Sequence, residues 1–167
     1  MADAAYKPDL YFLLRHPAHF IALGAGSGLA PRAPGTAGTL LAFPLFALIE
    51  AGFVPVGQLV AIALAFALGV WACARTGREL GVADPGAIVW DEVVAFALVL
   101  FFTPPGWVWQ VAAFVLFRFF DIVKPPPIRQ CDQRWKNGFG VMFDDLLAAF
   151  YTLLALAVAR TVLGSQT

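Results

Sequence analysis

The chain has 167 residues, 60% of them hydrophobic and only 13% charged, a balance outside that of soluble domains. Eleven Lys and Arg offset eleven Asp and Glu, so net charge gives no reason to expect a nucleic-acid partner. What remains is one integral-membrane domain covering residues 1–167.

The start, "MADAAYKPDLYFLLRHPAHF", has an acid before its apolar part and Arg-His-Pro in the middle, which argues against a cleaved signal peptide. Residues 10–23 are too short and interrupted to cross a bilayer, and are expected to form an interfacial or re-entrant helix. His16 and His19, three apart, are either ligands or interfacial residues. The stretch "GAGSGLAPRAPGTAGTLLAFP" follows. Its glycines permit positive φ and close backbone approach, Thr36 or Thr39 can cap the next helix, and Arg32 adds a cation. Such a loop either cradles an anion on its N–H groups or merely shapes the chain.

Five membrane helices are predicted, at about 38–54, 56–74, 88–103, 106–123 and 141–162. Residues 55–74 carry no charge, and neither do 93–117, where Thr103-Pro104-Pro105-Gly106 divides the run into two spans. In lipid every backbone polar group needs an internal partner, and the runs are of helical length, so the fold class is an all-α polytopic bundle. This layout places Lys7, Arg15, Arg32, Arg75, Arg78, Arg118, Lys124, Arg129, Arg134 and Lys136 on one side, and only Arg160 near the other. The positive-inside rule makes the first side cytoplasmic. Cys73 and Cys131 fall near membrane ends on that side and form no metal-ligand pattern, so they are read as free thiols.

Asp84, Asp91, Glu92, Asp121, Asp144 and Asp145 also gather on the cytoplasmic side. A charge at mid-bilayer costs about 2.5–3.5 kcal/mol. Capping explains a single acid at a helix start, but not two doubled pairs, nor Asp121 at a helix C-terminus. Asp121 lies three residues from both Arg118 and Lys124, which suits either a salt bridge or a mixed site for cation and anion. Carboxylates without clustered His or Cys suit Mg²⁺, which takes oxygen ligands and is shared with phosphate. "DIVKPPPI" ends the fourth helix and fixes the chain after Lys124. No Walker loop, Gly-x-Ser-x-Gly elbow, His-Glu-x-x-His zinc motif or Cys-x5-Arg phosphatase loop is visible.

Four segments, "GSGLAPRAPGTAGT", "DPGAIVWDEVVAF", "FRFFDIVKPPPI" and "GFGVMFDDLLAAFY", occur in the order and approximate spacing of the phosphatidylglycerophosphatase A family of bacterial inner-membrane lipid phosphatases, which residues 20–160 resemble. The resemblance implies Mg²⁺-dependent hydrolysis of phosphatidylglycerophosphate to phosphatidylglycerol and phosphate on the cytoplasmic face. It carries the family's acidic positions onto Asp84, Asp91, Glu92, Asp121, Asp144 and Asp145, and its basic ones onto Arg118 and Lys124. The expected metal ligands are Asp91, Glu92, Asp144 and Asp145, with Asp84 and Asp121 either completing the sphere or positioning a water. The phosphate is expected on Arg118 and Lys124, with Arg32, Gly35, Thr36 and Thr39 from the glycine-rich loop. Ala95 and Asn137 stand where many members carry Gly. Water attack is expected, with an Asp nucleophile as the alternative. A small ion-coupled transporter or proton relay and a structural subunit are the rival functions. Oligomeric state is not legible.

Overall fold

The computed structural model describes residues 7–82 and 85–164, and all regular structure among them is helical. Two short helices, α1 (Leu10–Arg15) and α2 (Pro17–Ala22), lead into a 3-10 segment, Gly24–Leu29. The rest comprises α3 (Pro34–Gly52), α4 (Pro55–Leu80), α5 (Trp90–Phe102), α6 (Trp107–Val123), α7 (Ile128–Arg134) and α8 (Gly138–Gly164). Among the described residues, three helices are long and apolar enough to cross a membrane: α3, α4, and α8 as far as Val162.

Proline sets the starts of α3 and α4, because at the first helical position its missing N–H costs nothing. Thus α3 begins four residues before its expected start. The α4 helix runs past its apolar part through Arg75, Arg78 and Glu79 until Gly81, at φ 70°, ends it in the left-handed conformation. The expected loop at 121–140 contains α7, and the predicted N-terminal helix divides at Pro17 into two. Asn137 caps α8, its Oδ1 accepting from the Gly140 amide at 2.9 Å.

The central element is α5. At about 1.5 Å per residue its thirteen residues are only about 20 Å long. It packs against α3, α4, α6 and α8, and Val93–Ala97, Val99 and Leu100 are all buried, as suits a helix apolar around most of its girth. Trp90 shows where it starts. Its indole N–H donates to the Ala65 carbonyl at 3.0 Å, midway along α4, and a Cβ on Gly69 would run into the Trp90 ring. Trp90 is therefore a joint between helices, and α5 begins level with the middle of α4. The Val89 amide donates to the Ala22 carbonyl at 2.9 Å, tying the turn before α5 to the end of α2.

The starts of α3 and α5 meet the end of α6 through Gly35, Glu92 and Arg118. The end of α4 meets the start of α8 across a cleft lined by Arg78 and Lys136. The long helices thus alternate in direction and bring one set of ends together.

Candidate functional site

The first turn of α5 carries Asp91 and Glu92, 7% and 9% exposed, where a helix N-terminus favours negative charge. Asp144 and Asp145, each 3% exposed, face inward from the second turn of α8. Asp91, Glu92 and Asp145 each present one carboxylate oxygen, and these oxygens lie within 4.8 Å of one another. Glu92 Oε2 and Asp145 Oδ2 are buried without a hydrogen-bond partner among the described residues.

One guanidinium serves this cluster. Arg118, on the last turns of α6, places Nη1 at 2.7 Å from Asp121 Oδ2, 3.4 Å from Glu92 Oε1 and 3.3 Å from Thr39 Oγ1. Asp121 also reaches Asp145 within hydrogen-bonding distance. Arg118 Nε is buried and lacks a partner among the described residues. Asp121 at a helix C-terminus is thus both a salt bridge to Arg118 and a member of the acidic group. The sequence left those two roles as alternatives.

Lys124 holds a second arm. It closes α6 in the left-handed conformation at φ 45°, pairs closely with Asp144, and lies 3.3 Å from Asp132 Oδ1, which also pairs with Lys136. Asp144 is therefore engaged by Lys124, while its neighbour Asp145 joins the cluster. Asp132 is absent from the sequence-derived site because the stretch between the last two predicted spans reads as a loop. Its spacing of four before Lys136, and its place in α7, were the available signal.

Gly35 and Thr39 come from the first turns of α3. A Cβ on Gly35 would collide with Glu92 Oε1 and come within 2.9 and 3.1 Å of the two terminal nitrogens of Arg118. Neither Thr36 nor Thr39 caps α3: the capping position is Ala33, at φ 48°, and no side chain bonds there. Thr39 instead donates to the Gly35 carbonyl at 2.9 Å and accepts from Arg118, holding that guanidinium. Thr36 is half-buried and Arg32 exposed in the loop before α3, with no ion pair to Arg32 among the described residues. The preceding amides are used internally, Gly26 and Gly28 donating to the Leu23 carbonyl. Gly28 abuts Ala87 and Gly24 abuts Val89, so these glycines seat the loop against the start of α5. Asp84 lies outside the described residues.

The histidines serve elsewhere. His16 caps α2, its Nδ1 accepting from the Ala18 amide. His19 is fully buried and stacked on Phe12 at 4.0 Å. Cys73 and Cys131 form no disulfide among the described residues, and Cys73 Sγ lies against Met142.

A sequence profile of the phosphatidylglycerophosphatase A family matches residues 20–160. The chain belongs to that family. A Haemophilus influenzae protein named phosphatidylglycerophosphatase A is 47% identical over 148 residues, 86% of this chain and 88% of the relative. An Escherichia coli protein of the same name is 41% identical over 138 residues, 81% of this chain and 78% of the relative. A Bacteroides thetaiotaomicron protein, provisionally named a phosphatidylinositol-3-phosphatase, is 41% identical over 152 residues, 86% of this chain and 94% of the relative. No solved structure matches the chain.

This member of a lipid-phosphatase family gathers its four sequence motifs around one centre: Gly35 and Thr39 from the first, Asp91 and Glu92 from the second, Arg118, Asp121 and Lys124 from the third, Asp144 and Asp145 from the fourth. Of its two departures, Ala95 is buried in α5 and Asn137 is the cap of α8. The donor set fits a hard divalent cation. It offers oxygen alone from Asp91, Glu92 and Asp145, and the Arg118 guanidinium pairs with Glu92 and Asp121. Buried negative charge in such excess calls for a positive partner.

Proposed function

We propose that the chain hydrolyses phosphatidylglycerophosphate to phosphatidylglycerol and inorganic phosphate, the last step of phosphatidylglycerol synthesis, with Mg²⁺ as cofactor, at the cytoplasmic face of the bacterial inner membrane. The observation that carries this reading is the convergence of Asp91, Glu92 and Asp145 beside Arg118, in a chain whose relatives bear that enzyme's name. The basic residues near the site end, against Arg160 alone near the other, support the cytoplasmic orientation. We read α5 and α6 as the two remaining crossings of a five-span bundle.

Asp91, Glu92 and Asp145 would hold the ion, with Asp84 and Asp144 as the further carboxylates of the set. When bound, Mg²⁺ supplies neutralisation of the phosphate charge and a coordinated water of lowered pKa. Arg118, fixed by Asp121 and Thr39, has its buried Nε without a partner among the described residues and orients a phosphate oxygen. Lys124 binds another, exchanging an acidic partner for the phosphate. Arg32, Gly35 and Thr36 line the approach from the α3 side. The attacking water's oxygen bonds to phosphorus as its proton passes to a carboxylate of the site; the phosphorus–oxygen ester bond breaks; that proton returns to the departing glycerol oxygen.

The transporter alternative gains no support, since the clustered acids collect at one end of the bundle and Glu50 sits near the other. The test is phosphate release from phosphatidylglycerophosphate by purified protein in detergent, with EDTA and after Mg²⁺ is restored. Release that EDTA stops and Mg²⁺ restores is expected. A folded sample that releases none overturns the reading. Parallel assays on phosphatidylinositol-3-phosphate address the relative with the other name, and the glycerol headgroup is expected to be preferred.

A further inference from the structure

An apolar groove of about 350 Å³ lies between α4 and α8. Its floor is Val94 and Leu98 of α5, and its walls are Leu59, Ile62 and Phe66 of α4 and Leu146 of α8. Asp91, Val94 and Leu98 are spaced three and four apart, so they share one face of α5. Leu146 directly follows Asp145. The groove therefore begins one helical turn from the carboxylate cluster and continues along α5, away from the end where the charged residues gather. It is open sideways, where Leu59 and Ala63 are exposed between two helices that are themselves candidate membrane spans.

We propose that this groove holds an acyl chain of the lipid substrate, an inference that rests on the phosphatase reading above. A lipid phosphate bound at the cluster has its glycerol and chains just beyond the phosphate. The surface waiting there is apolar, continuous with the cluster on the same helix face, and reachable from the bilayer without crossing the charged residues. The start of α5 at the middle of α4 is what places charge and groove end to end. Burial of successive chain methylenes against these side chains adds affinity that a headgroup alone lacks.

The test compares kcat/KM for dioleoyl and dihexanoyl phosphatidylglycerophosphate in mixed micelles. Ala63→Trp fills the groove from its exposed rim without entering the core, and Leu64→Trp places the same ring on the neighbouring exposed position outside the groove. The dioleoyl-to-dihexanoyl ratio is expected to fall about tenfold in Ala63→Trp and to stay near wild type in Leu64→Trp. Leu59→Trp is a second rim variant expected to lower the ratio. An unchanged ratio in both rim variants, or an equal fall in Leu64→Trp, overturns the proposal. So does a change of oligomeric state in Ala63→Trp with the ratio unchanged, which would make the groove a protein interface. If the wild-type protein releases phosphate from neither lipid, it is the phosphatase reading that fails.

Discussion

His19 and the Asp91–Glu92–Asp145 cluster are both buried polar groups, but their surroundings differ in kind. The His19 Nδ1 proton goes to the Phe12 carbonyl at 2.9 Å, and Nε2 lies 3.2 Å from Glu79 Oε2, close enough for an ion pair though off the line of a hydrogen bond. Glu79 is held in turn by Arg75 at 2.6 Å. Arg75, Glu79 and His19 follow one another there, and the arrangement clamps α1 and α2 onto α4. In the acidic cluster, Glu92 shares Arg118 with Asp121, and Glu92 Oε2 and Asp145 Oδ2 have no partner among the described residues. Matched polar groups hold a fold together, whereas a surplus of one sign marks a place where something else binds.

The contrast breaks most sharply under charge removal. Asp91→Asn and Asp145→Asn are expected to lower phosphate release by at least about 10²-fold. Their melting temperatures are expected to hold or rise, since each relieves repulsion; a large fall in melting temperature would make these acids structural. His19→Ala is expected to do the reverse. Loss of a buried ring, together with its carbonyl and carboxylate partners, costs about 3 kcal/mol by denaturant titration, while activity per folded molecule persists.

Thr39 sharpens the boundary between the two classes. Thr39→Val keeps the shape but removes the oxygen that holds Arg118, and is expected to lower kcat about tenfold, with Thr39→Ser restoring it. A purely packing role predicts the opposite order, because valine fills the site and serine does not. The smallest effect is expected at Asp132. Partial burial opposes its ionisation, yet Lys124 and Lys136 outweigh that and hold its carboxyl below the usual range. A depressed folded-state pKa adds stability above the ordinary carboxylate pKa, and that stability is lost as pH falls through the folded value. Asp132→Asn is therefore expected to lose a little stability at neutral pH and none at low pH, which flattens the acid limb of the stability profile slightly.

The doubled acids were legible from the sequence because charge inside an apolar run has few innocent explanations. Arg118, Lys124 and Asp121 were legible through their spacing. The division of labour within Asp144-Asp145 was not, because adjacent helix positions point about 100° apart and only α6 and α7 decide which one meets Lys124. Thr39 looked like a cap because α3 was started too late; Pro34 was the missed sign. The length of α4 was underestimated because charges ended the apolar run, though nothing there stops a helix before Gly81. The depth of α5 is a tertiary fact, set by the Trp90 bond to Ala65, with no local signature.

Gly35 carries a consequence for how such a chain can change over generations. The methyl of alanine, the smallest step from glycine, would occupy space already taken by Glu92 and Arg118. A side chain at that position displaces the ends of Glu92 and Arg118, so the pair must shift to admit it. Among relatives, Gly35, Glu92 and Arg118 are therefore expected to be inherited as a unit, replaced together or not at all.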